Sequence, residues 1–190
     1  MSSKPDDKIK IVLVGPKECG KTCIANFFAG DKTVLTSEYR PTIAARIREF
    51  DMAYSRNRTA SIELWDLSGD VNFENCWPAC SQDLNGVIIV VDNDSRTLQK
   101  DLEFWYSSFV KANNLEDSCC MVIAHSKDPS SSKSEIRLPK SMAKVTNTTH
   151  SNLDTNATTV SPNLMRNAFQ ILLESVHTKM REKEESRMMN

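Results

Sequence analysis

Several features that would direct a chain of this size to membranes or nucleic acids are missing from the sequence. No apolar run reaches the roughly 20 residues that a membrane-spanning helix needs, and the polar first seven residues have no signal-peptide core. The 24 basic and 25 acidic residues give a net charge of −1, which favours neither nucleic acid nor an anionic membrane. Ser2 and a C-terminal end without cysteine do not suit lipidation. We therefore expect no nucleic-acid partner and no direct membrane anchor.

Paired cysteines of the C-x-x-C type are also absent, although the chain has 6 cysteines. Zinc sites and a disulfide framework are therefore not indicated, and buried thiols in a reducing compartment are expected. The length of 190 residues and the hydrophobic fraction of 39% suit one domain with a sizeable core.

Glycine is scarce, at 5 residues, yet two glycines fall within one stretch of eight residues. That stretch fits the phosphate-loop pattern G-x-x-x-x-G-K-[ST], and it lies between a strand-like run and a helical segment. Its backbone N–H groups favour phosphate, its lysine would reach the terminal phosphates, and its threonine hydroxyl would bind magnesium. The predicted nucleotide-binding residues here are Gly15, Pro16, Lys17, Glu18, Cys19, Gly20, Lys21, Thr22 and Cys23.

Alternating strand-like and helix-like segments predict an α/β fold with a doubly wound sheet. Apolar runs predict buried parallel strands, and two neighbouring strands predict an antiparallel hairpin at one edge. The predicted strands are 8–14, 43–52, 59–65, 86–91, 119–124 and 144–146. Apolar periodicity predicts a short helix at 21–28 and longer helices at 98–109 and 162–180, with a polar loop at 148–161.

Two stretches on the same edge of the sheet as the phosphate loop supply candidate groups for a metal and a phosphate. Thr42 would place its hydroxyl on magnesium when a third phosphate is present, although taken alone it is better explained as an ordinary loop threonine. Asp66 ends a strand and fits a Walker B-type carboxylate that holds magnesium. Gly69 follows, and its N–H would meet the γ-phosphate. A strand-terminating turn is the alternative explanation for the Asp66–Gly69 segment.

A third stretch, His125-Ser126-Lys127-Asp128, follows the predicted strand at 119–124. The carboxylate of Asp128 would accept both N–H groups on the Watson–Crick edge of guanine, whereas adenine has no matching donor pair. The stretch therefore predicts guanine selectivity, with a simple Asp-Pro turn as the alternative.

In this order and over this length, these features resemble the Ras-like small GTPases. The chain is more similar still to one branch, the Rab-like subunits of intraflagellar transport complex B. The stretches that carry the closer similarity are Trp65–Asp70, Phe73–Ala79, Phe104–Ser107, Val122–His125 and His150–Leu153.

The resemblance implies a P-loop NTPase fold: a mostly parallel six-stranded sheet with one antiparallel edge strand and helices on both faces. It implies a small-GTPase-like domain at 8–180, a flexible N-terminus at 1–7 and a charged C-terminal tail at 181–190. It further implies GTP or GDP with Mg²⁺, held by the metal ligands Thr22, Thr42 and Asp66, with Ser151 and Asn152 beside the base. The implied setting is a monomer within a hetero-complex, bound to coiled-coil subunits in the cytoplasm and the cilium or flagellum, including the basal body.

The chain departs from the family pattern at several positions. Asp70 stands where small GTPases carry the glutamine that orients the attacking water, and Lys17 and Glu18 replace small residues. These changes predict slow intrinsic hydrolysis. His125 and Ser126 replace an asparagine and a lysine that support the base, so guanine selectivity is expected to persist at weaker affinity.

Two alternatives to a nucleotide-binding transport subunit remain. One is a switching GTPase turned over by an activating protein, whose arginine would compensate for the missing catalytic groups. The other is a small-molecule kinase, which is disfavoured because the segment 126–140 holds one arginine, Arg137, where a lid usually shows several.

Overall fold

The computed structural model describes residues 7–31, 41–55, 57–126, 136–151 and 162–189. In these ranges the chain forms a six-stranded sheet with the strand order β2-β3-β1-β4-β5-β6. Neighbouring strands are parallel except β2 and β3, which pair antiparallel at one edge. The strands are β1 (Asp7–Val14), β2 (Ala45–Ser55), β3 (Arg58–Leu67), β4 (Gly86–Asp92), β5 (Cys120–His125) and β6 (Asn147–Ser151).

Helices cover both faces of the sheet, which confirms the predicted small-GTPase-like α/β fold. Helices α1 (Lys21–Phe28) and α4 (Pro162–Met188) pack on one face, and α2 (Trp77–Cys80) and α3 (Leu98–Trp105) pack on the other. A π-helix extends α3, so the amphipathic segment predicted at 98–109 is helical throughout. The shorter helical segments are the 3₁₀ helices Val71–Cys76, Asp117–Cys119 and Lys140–Met142 and the π-helix Tyr106–Lys111.

The central strands β1, β4 and β5 read as continuous apolar runs because each is covered by helices on both sides. β3 instead alternates: Ile62 and Leu64 face α1 and α4, whereas Trp65 faces the opposite side of the sheet. The carboxyl ends of the parallel strands β1, β3, β4 and β5 lie on the same side of the sheet, and the phosphate loop follows β1 there. The candidate site is therefore assembled from the carboxyl ends of these strands.

The prediction of a last strand at 144–146 is wrong, because β6 lies at Asn147–Ser151. Most of this strand falls within the loop that was predicted at 148–161. Val145 packs in the core instead, and the polar residues Thr148 and Thr149 pair in parallel with β5. An edge strand pairs on one side only and tolerates β-branched polar residues, so no apolar run marks it. The shift places Ser151 directly opposite His125.

Helix α4 continues to Met188, beyond the limit of 180 predicted for the domain, so residues 181–188 of the predicted tail are helical and exposed. Ion pairs on the helix surface support this extension: Lys179 contacts Glu182 at 2.8 Å and Arg181 contacts Glu185 at 4.0 Å. None of the helices in the described ranges is both long enough and apolar enough to span a bilayer.

Most of the cysteines are sequestered, as the sequence predicted. Five of the six are buried or half-buried, and burial raises the pKa of each of these thiols. Cys76 is the exception, since it is exposed at the end of the 3₁₀ helix Val71–Cys76. The five sequestered residues are Cys19, Cys23, Cys80, Cys119 and Cys120.

Candidate nucleotide-binding site

The phosphate loop connects β1 to α1 in a conformation that depends on glycine. Gly15 (φ 149°) and Gly20 (φ 88°) both lie in the positive-φ region, and a Cβ on Gly15 would lie 1.9 Å from the carbonyl oxygen of Val90. Glu18 also has a positive φ of 58°, which strains a residue that carries a side chain. The thiol of Cys19 donates to the Val90 carbonyl at 3.2 Å. The loop is therefore fastened to β4.

Lys21 is the buried cation of the phosphate loop. It begins α1, and its Nζ donates to the carbonyl oxygens of Gly15 at 2.9 Å and Pro16 at 2.5 Å. No described side chain caps the N-terminus of α1, so the first N–H groups of the helix are available to an anion. The ammonium and the helix N-terminus thus supply positive charge on the same loop, which suits phosphate.

Three oxygen-bearing side chains meet beside the phosphate loop, and we call them the magnesium corner: Thr22, Thr42 and Asp66. The Thr22 hydroxyl donates to Asp66 Oδ2 at 2.7 Å, and the Thr42 hydroxyl donates to the same oxygen at 3.2 Å. The two hydroxyl oxygens lie 3.0 Å apart. All three side chains that the sequence predicted as metal ligands are therefore brought together.

The magnesium corner also contains an unsatisfied polar atom. Asp66 is 1% exposed, yet its Oδ1 has no hydrogen-bond partner among the described residues. Burial raises the pKa of this carboxyl, and the hydrogen bonds from Thr22 and the charge of Lys21 oppose that rise. A buried carboxylate oxygen without a donor is well matched to a cation or to a metal-bound water. The residues of the corner therefore fit a hydrated Mg²⁺.

The backbone of a neighbouring turn places Thr42 in the corner. The Ser68 N–H donates to the Ala44 carbonyl at 2.8 Å, which extends the pairing of Ala45 with Leu67 beyond the start of β2 and the end of β3. Ala44 has a φ of 53°, and this turn carries the chain back toward the phosphate loop. The sequence contained no signal for Ala44 or Ser68, because neither residue type is specific to such a turn.

A second group of residues lies against the phosphate loop at Pro16 and Lys17, and we call it the lip: Lys17, Gly69 and Asp70. Lys17 Nζ lies 2.7 Å from Asp70 Oδ2, and the ammonium holds the pKa of that carboxyl below its usual value. A Cβ on Gly69 would lie 2.4 Å from the Pro16 carbonyl carbon and 2.5 Å from the Lys17 nitrogen. The segment after β3 therefore packs directly on the phosphate loop.

The base side of the site is only partly described. Lys127, Asp128 and Asn152 lie outside the described residues, so the predicted guanine contacts of Asp128 and Asn152 stay predictions.

His125 and Ser151, by contrast, are both buried, and His125 Nδ1 lies 3.3 Å from the Ser151 hydroxyl. The His125 ring also packs on the phosphate loop, because a Cβ on Gly20 would lie 2.4 Å from its Cδ2. The histidine that replaces the family asparagine thus connects the phosphate loop to β6.

Other residues around the site were not predicted from the sequence. Asp94 accepts a hydrogen bond from the Ser126 hydroxyl at 3.2 Å, and the Ser126 N–H donates to the Ser151 carbonyl at 2.9 Å. The Val90 carbonyl accepts the hydrogen bond from the Cys19 thiol, as described above. A turn signal at residues 92–95 marks Asp94, but nothing in the sequence links it to Ser126. Cys23, by contrast, is one of the predicted nucleotide-binding residues; it is half-buried on α1, where burial and then the charge of Asp66 raise its pKa.

Comparison with known families gives an extended match. Residues 10–128 match the family described as Ras of Complex, Roc, domain of DAPkinase. The Homo sapiens protein named intraflagellar transport protein 22 homolog is 37% identical over 188 residues, which cover 96% of this chain and 97% of that protein.

Two crystal structures from T. brucei share the fold. The first, of GTP-bound IFT22/74/81, has a TM-score of 0.74 at 23% identity and covers 94% of this chain and 99% of that chain. The second, of GDP-bound IFT22, has a TM-score of 0.69 at 24% identity and covers 91% of this chain and 98% of that chain.

Proposed function

Because this chain belongs to the Ras-like GTPases of the intraflagellar transport protein 22 family, we propose that it binds GTP or GDP with Mg²⁺ as a subunit of intraflagellar transport complex B. The proposed setting is cargo transport and assembly in the cilium or flagellum, with the chain present as a monomer within the hetero-complex. The proposed locations are the cytoplasm, the basal body and the cilium.

The observation that carries the proposal is the magnesium corner beside a formed phosphate loop. Lys21 and the N-terminus of α1 would bind the phosphates, and Thr22, Thr42 and Asp66 would hold the metal. Mg²⁺, when bound, neutralises charge on the β- and γ-phosphates. Thr42 in the corner favours a triphosphate, since this threonine was predicted to reach the metal when a third phosphate is present.

Selectivity for guanine is proposed to come from Asp128, with His125 positioning the base loop. The ring of His125 lies between the phosphate loop at Gly20 and the base-side strand end at Ser151. It therefore supports the base loop in place of the family asparagine. The loss of an asparagine amide and of a covering lysine stem is consistent with weaker affinity than in typical small GTPases.

Slow hydrolysis is proposed because the lip carries charged side chains where typical small GTPases carry small or neutral ones. Asp70 stands at the position of the water-orienting glutamine and is held by Lys17 at 2.7 Å. A carboxylate adds negative charge beside a γ-phosphate that is already negative, and it lacks the N–H donor of the glutamine amide. The nucleotide is then best understood as a structural ligand or a slow switch.

We further propose that coiled-coil subunits dock on the apolar residues next to the magnesium corner and the lip. Ile43 follows Thr42 and Val71 follows Asp70, and both side chains are exposed, as is Ile47 on β2; we call these three residues the apolar surface. Exposed apolar residues of this kind suit a protein partner, and side chains on the outer face of a coiled coil would cover them. The T. brucei structure of GTP-bound IFT22/74/81 supports a complex of this composition.

The direct test of nucleotide binding is to identify what the purified protein retains. Protein denatured after purification should release GTP or GDP on ion-exchange chromatography, and Lys21→Ala should release neither. Competition with ATP in excess should leave the guanine nucleotide bound. Release of adenine nucleotide instead would overturn the assignment of Asp128 and revive the kinase alternative.

The docking surface is tested by co-purification with the subunits that correspond to IFT74 and IFT81. Val71→Glu should reduce recovery of the complex while leaving the bound nucleotide in place. Leu164→Glu is the matched control, because Leu164 is exposed on α4, which covers the other face of the sheet from α3. Equal losses for both variants would contradict the proposed surface.

The switching-GTPase alternative has one structural observation in its favour: the side chain of Lys17 is largely exposed, so an activating protein can reach the lip. Single-turnover GTP hydrolysis with and without cell extract separates the two functions. Near-zero rates in both conditions would exclude the enzyme, and a strong stimulation by extract would favour it.

A further inference from the structure

The two residues at which the lip departs most from the family pattern are bonded to each other. Lys17 comes from the phosphate loop and Asp70 from the segment after β3, and their charged atoms are 2.7 Å apart. Their side chains are 60% and 23% exposed, so the pair contributes little to folding stability. Its position is therefore better explained by the ligand that the loop holds than by the fold.

The pair lies at the end of the phosphate loop where a terminal phosphate would bind. Gly69, directly before Asp70, packs on the backbone of Pro16 and Lys17. Lys21, the cation that contacts the terminal phosphates in loops of this type, is bonded to the carbonyl of the same Pro16. Lys17, Lys21 and Gly69 therefore surround the same few atoms of the loop.

From this geometry we propose that Lys17 distinguishes a nucleoside triphosphate from a diphosphate by exchanging its partner. Its ammonium is held by Asp70 in the structure and would transfer to an oxygen of the third phosphate. The inference rests on the proposed nucleotide binding and adds the residue that reads the number of phosphates. A diphosphate has no oxygen at that place, so Lys17 would stay with Asp70.

Charge decides the direction of the exchange. A terminal phosphate carries more negative charge than one carboxylate and attracts the ammonium more strongly. The pKa of Asp70 is lowered by Lys17, so the carboxyl is ionised at neutral pH and competes for the ammonium. Once released, Asp70 is repelled by the phosphate. Asp70 therefore opposes triphosphate binding, and Lys17 favours it.

The exchange would also be transmitted to the apolar surface. Asp70 caps the 3₁₀ helix Val71–Cys76, because its Oδ1 accepts from the Asn72 N–H at 3.0 Å. That helix leads directly into Trp77, whose ring packs 5.9 Å from Phe104 and 5.2 Å from Trp105. A change of partner at Asp70 thus acts on the cap of the segment that carries Val71.

The experiment measures the affinities of GDP and of a non-hydrolysable GTP analogue by calorimetry at fixed Mg²⁺. Lys17→Ala should weaken the analogue about tenfold and GDP less than about twofold, as expected for one lost charge-assisted hydrogen bond at an exposed site. Asp70→Asn should strengthen the analogue about threefold and leave GDP unchanged, because the competing charge is removed. Lys17→Arg should keep the preference of the wild type.

Lys8→Ala is the matched control, since Lys8 forms a similarly exposed ion pair with Glu63 at 2.6 Å on β1 and β3, away from the loop. It should change neither affinity. Equal effects of Lys17→Ala on both nucleotides, or no effect on either, would overturn the inference while leaving nucleotide binding intact. A wild-type chain that binds neither nucleotide would instead overturn the proposed function.

Discussion

The magnesium corner and the lip face the same phosphate loop, yet they are built from opposite kinds of residues. The corner combines two neutral hydroxyls with a buried carboxyl whose pKa is raised by burial. The lip is exposed and charged, and the pKa of its carboxyl is lowered by a lysine. The corner has the residue types that small GTPases use to hold Mg²⁺, whereas the lip has replaced those used for hydrolysis. We therefore expect that holding a nucleotide and cleaving it depend on separable residues.

The largest expected effect tests the corner. Thr22→Asn removes the hydroxyl that contacts both Thr42 and Asp66, and we expect nucleotide affinity in Mg²⁺ to fall about 100-fold. Thr22→Ser keeps the hydroxyl and is the control. Calorimetry in Mg²⁺ and in excess chelator measures the loss. If Thr22→Asn bound GTP as tightly as the wild type, the corner would not be a metal site.

The next effect tests how closely the lip approaches the loop. Gly69→Ala places a Cβ 2.4 Å from the carbonyl carbon of Pro16, a backbone atom that cannot move aside easily. The segment must shift, which would move the Gly69 N–H away from the proposed position of the γ-phosphate, and we expect affinity for a GTP analogue to fall about tenfold. Gly30→Ala is the control: its φ of 74° also strains an alanine, but a Cβ there meets nothing within 4 Å, so the loss should appear in stability and not in affinity. An unchanged affinity for Gly69→Ala would separate the lip from the phosphates.

A smaller effect is expected at Glu18 in the phosphate loop. Glu18→Gly relieves the positive φ of 58° and removes a negative charge from the loop, so nucleotide affinity should rise about threefold. Asp83→Gly is the control, since Asp83 has a similar φ of 54° in a turn outside the site. Thermal unfolding should show a similar gain for both, and calorimetry should show a gain in affinity for Glu18→Gly alone.

The smallest expected effect is on hydrolysis. Asp70→Gln restores the family residue type, but the side chain of Lys17 still occupies the lip, so the single-turnover rate should change less than about threefold. Lys17→Gly combined with Asp70→Gln should raise it further. A large increase for Asp70→Gln alone would show that the carboxylate was the limiting group and that Lys17 does not matter.

The sequence predicted those parts of the site that depend on residues close together in the chain. The phosphate loop, the strand-end Asp66 and the following glycine were all evident from short spacings. The role of Thr42 was ambiguous, because its place in the corner depends on a backbone hydrogen bond between Ala44 and Ser68 that neither residue type predicts. The Lys17–Asp70 pair was equally hidden: each residue was noted as a departure, but only the packing of Gly69 on the loop brings them together.

The fold was predictable to a similar degree. Apolar runs identified the three central strands, and periodicity identified the long helices, since both patterns follow directly from burial. The polar edge strand β6 was predicted at the wrong residues, 144–146, because pairing with β5 depends on the neighbouring strand and not on the residue types of Thr148 or Thr149. The apolar periodicity ends at Met180, so it does not indicate that charged residues continue α4 to Met188 through pairs such as Lys179 with Glu182.

The unequal exposure of the cysteines has a practical consequence for the chemistry of the protein. Thiolate is the reactive form of cysteine, and five thiols are sequestered with a raised pKa. A maleimide should therefore modify Cys76 first in the unmodified wild-type sequence. Because Cys76 ends the helix capped by Asp70 and precedes Trp77, a dye attached there would sit on the segment that connects the lip to the apolar surface. The chain thus contains its own attachment point for a fluorescent reporter.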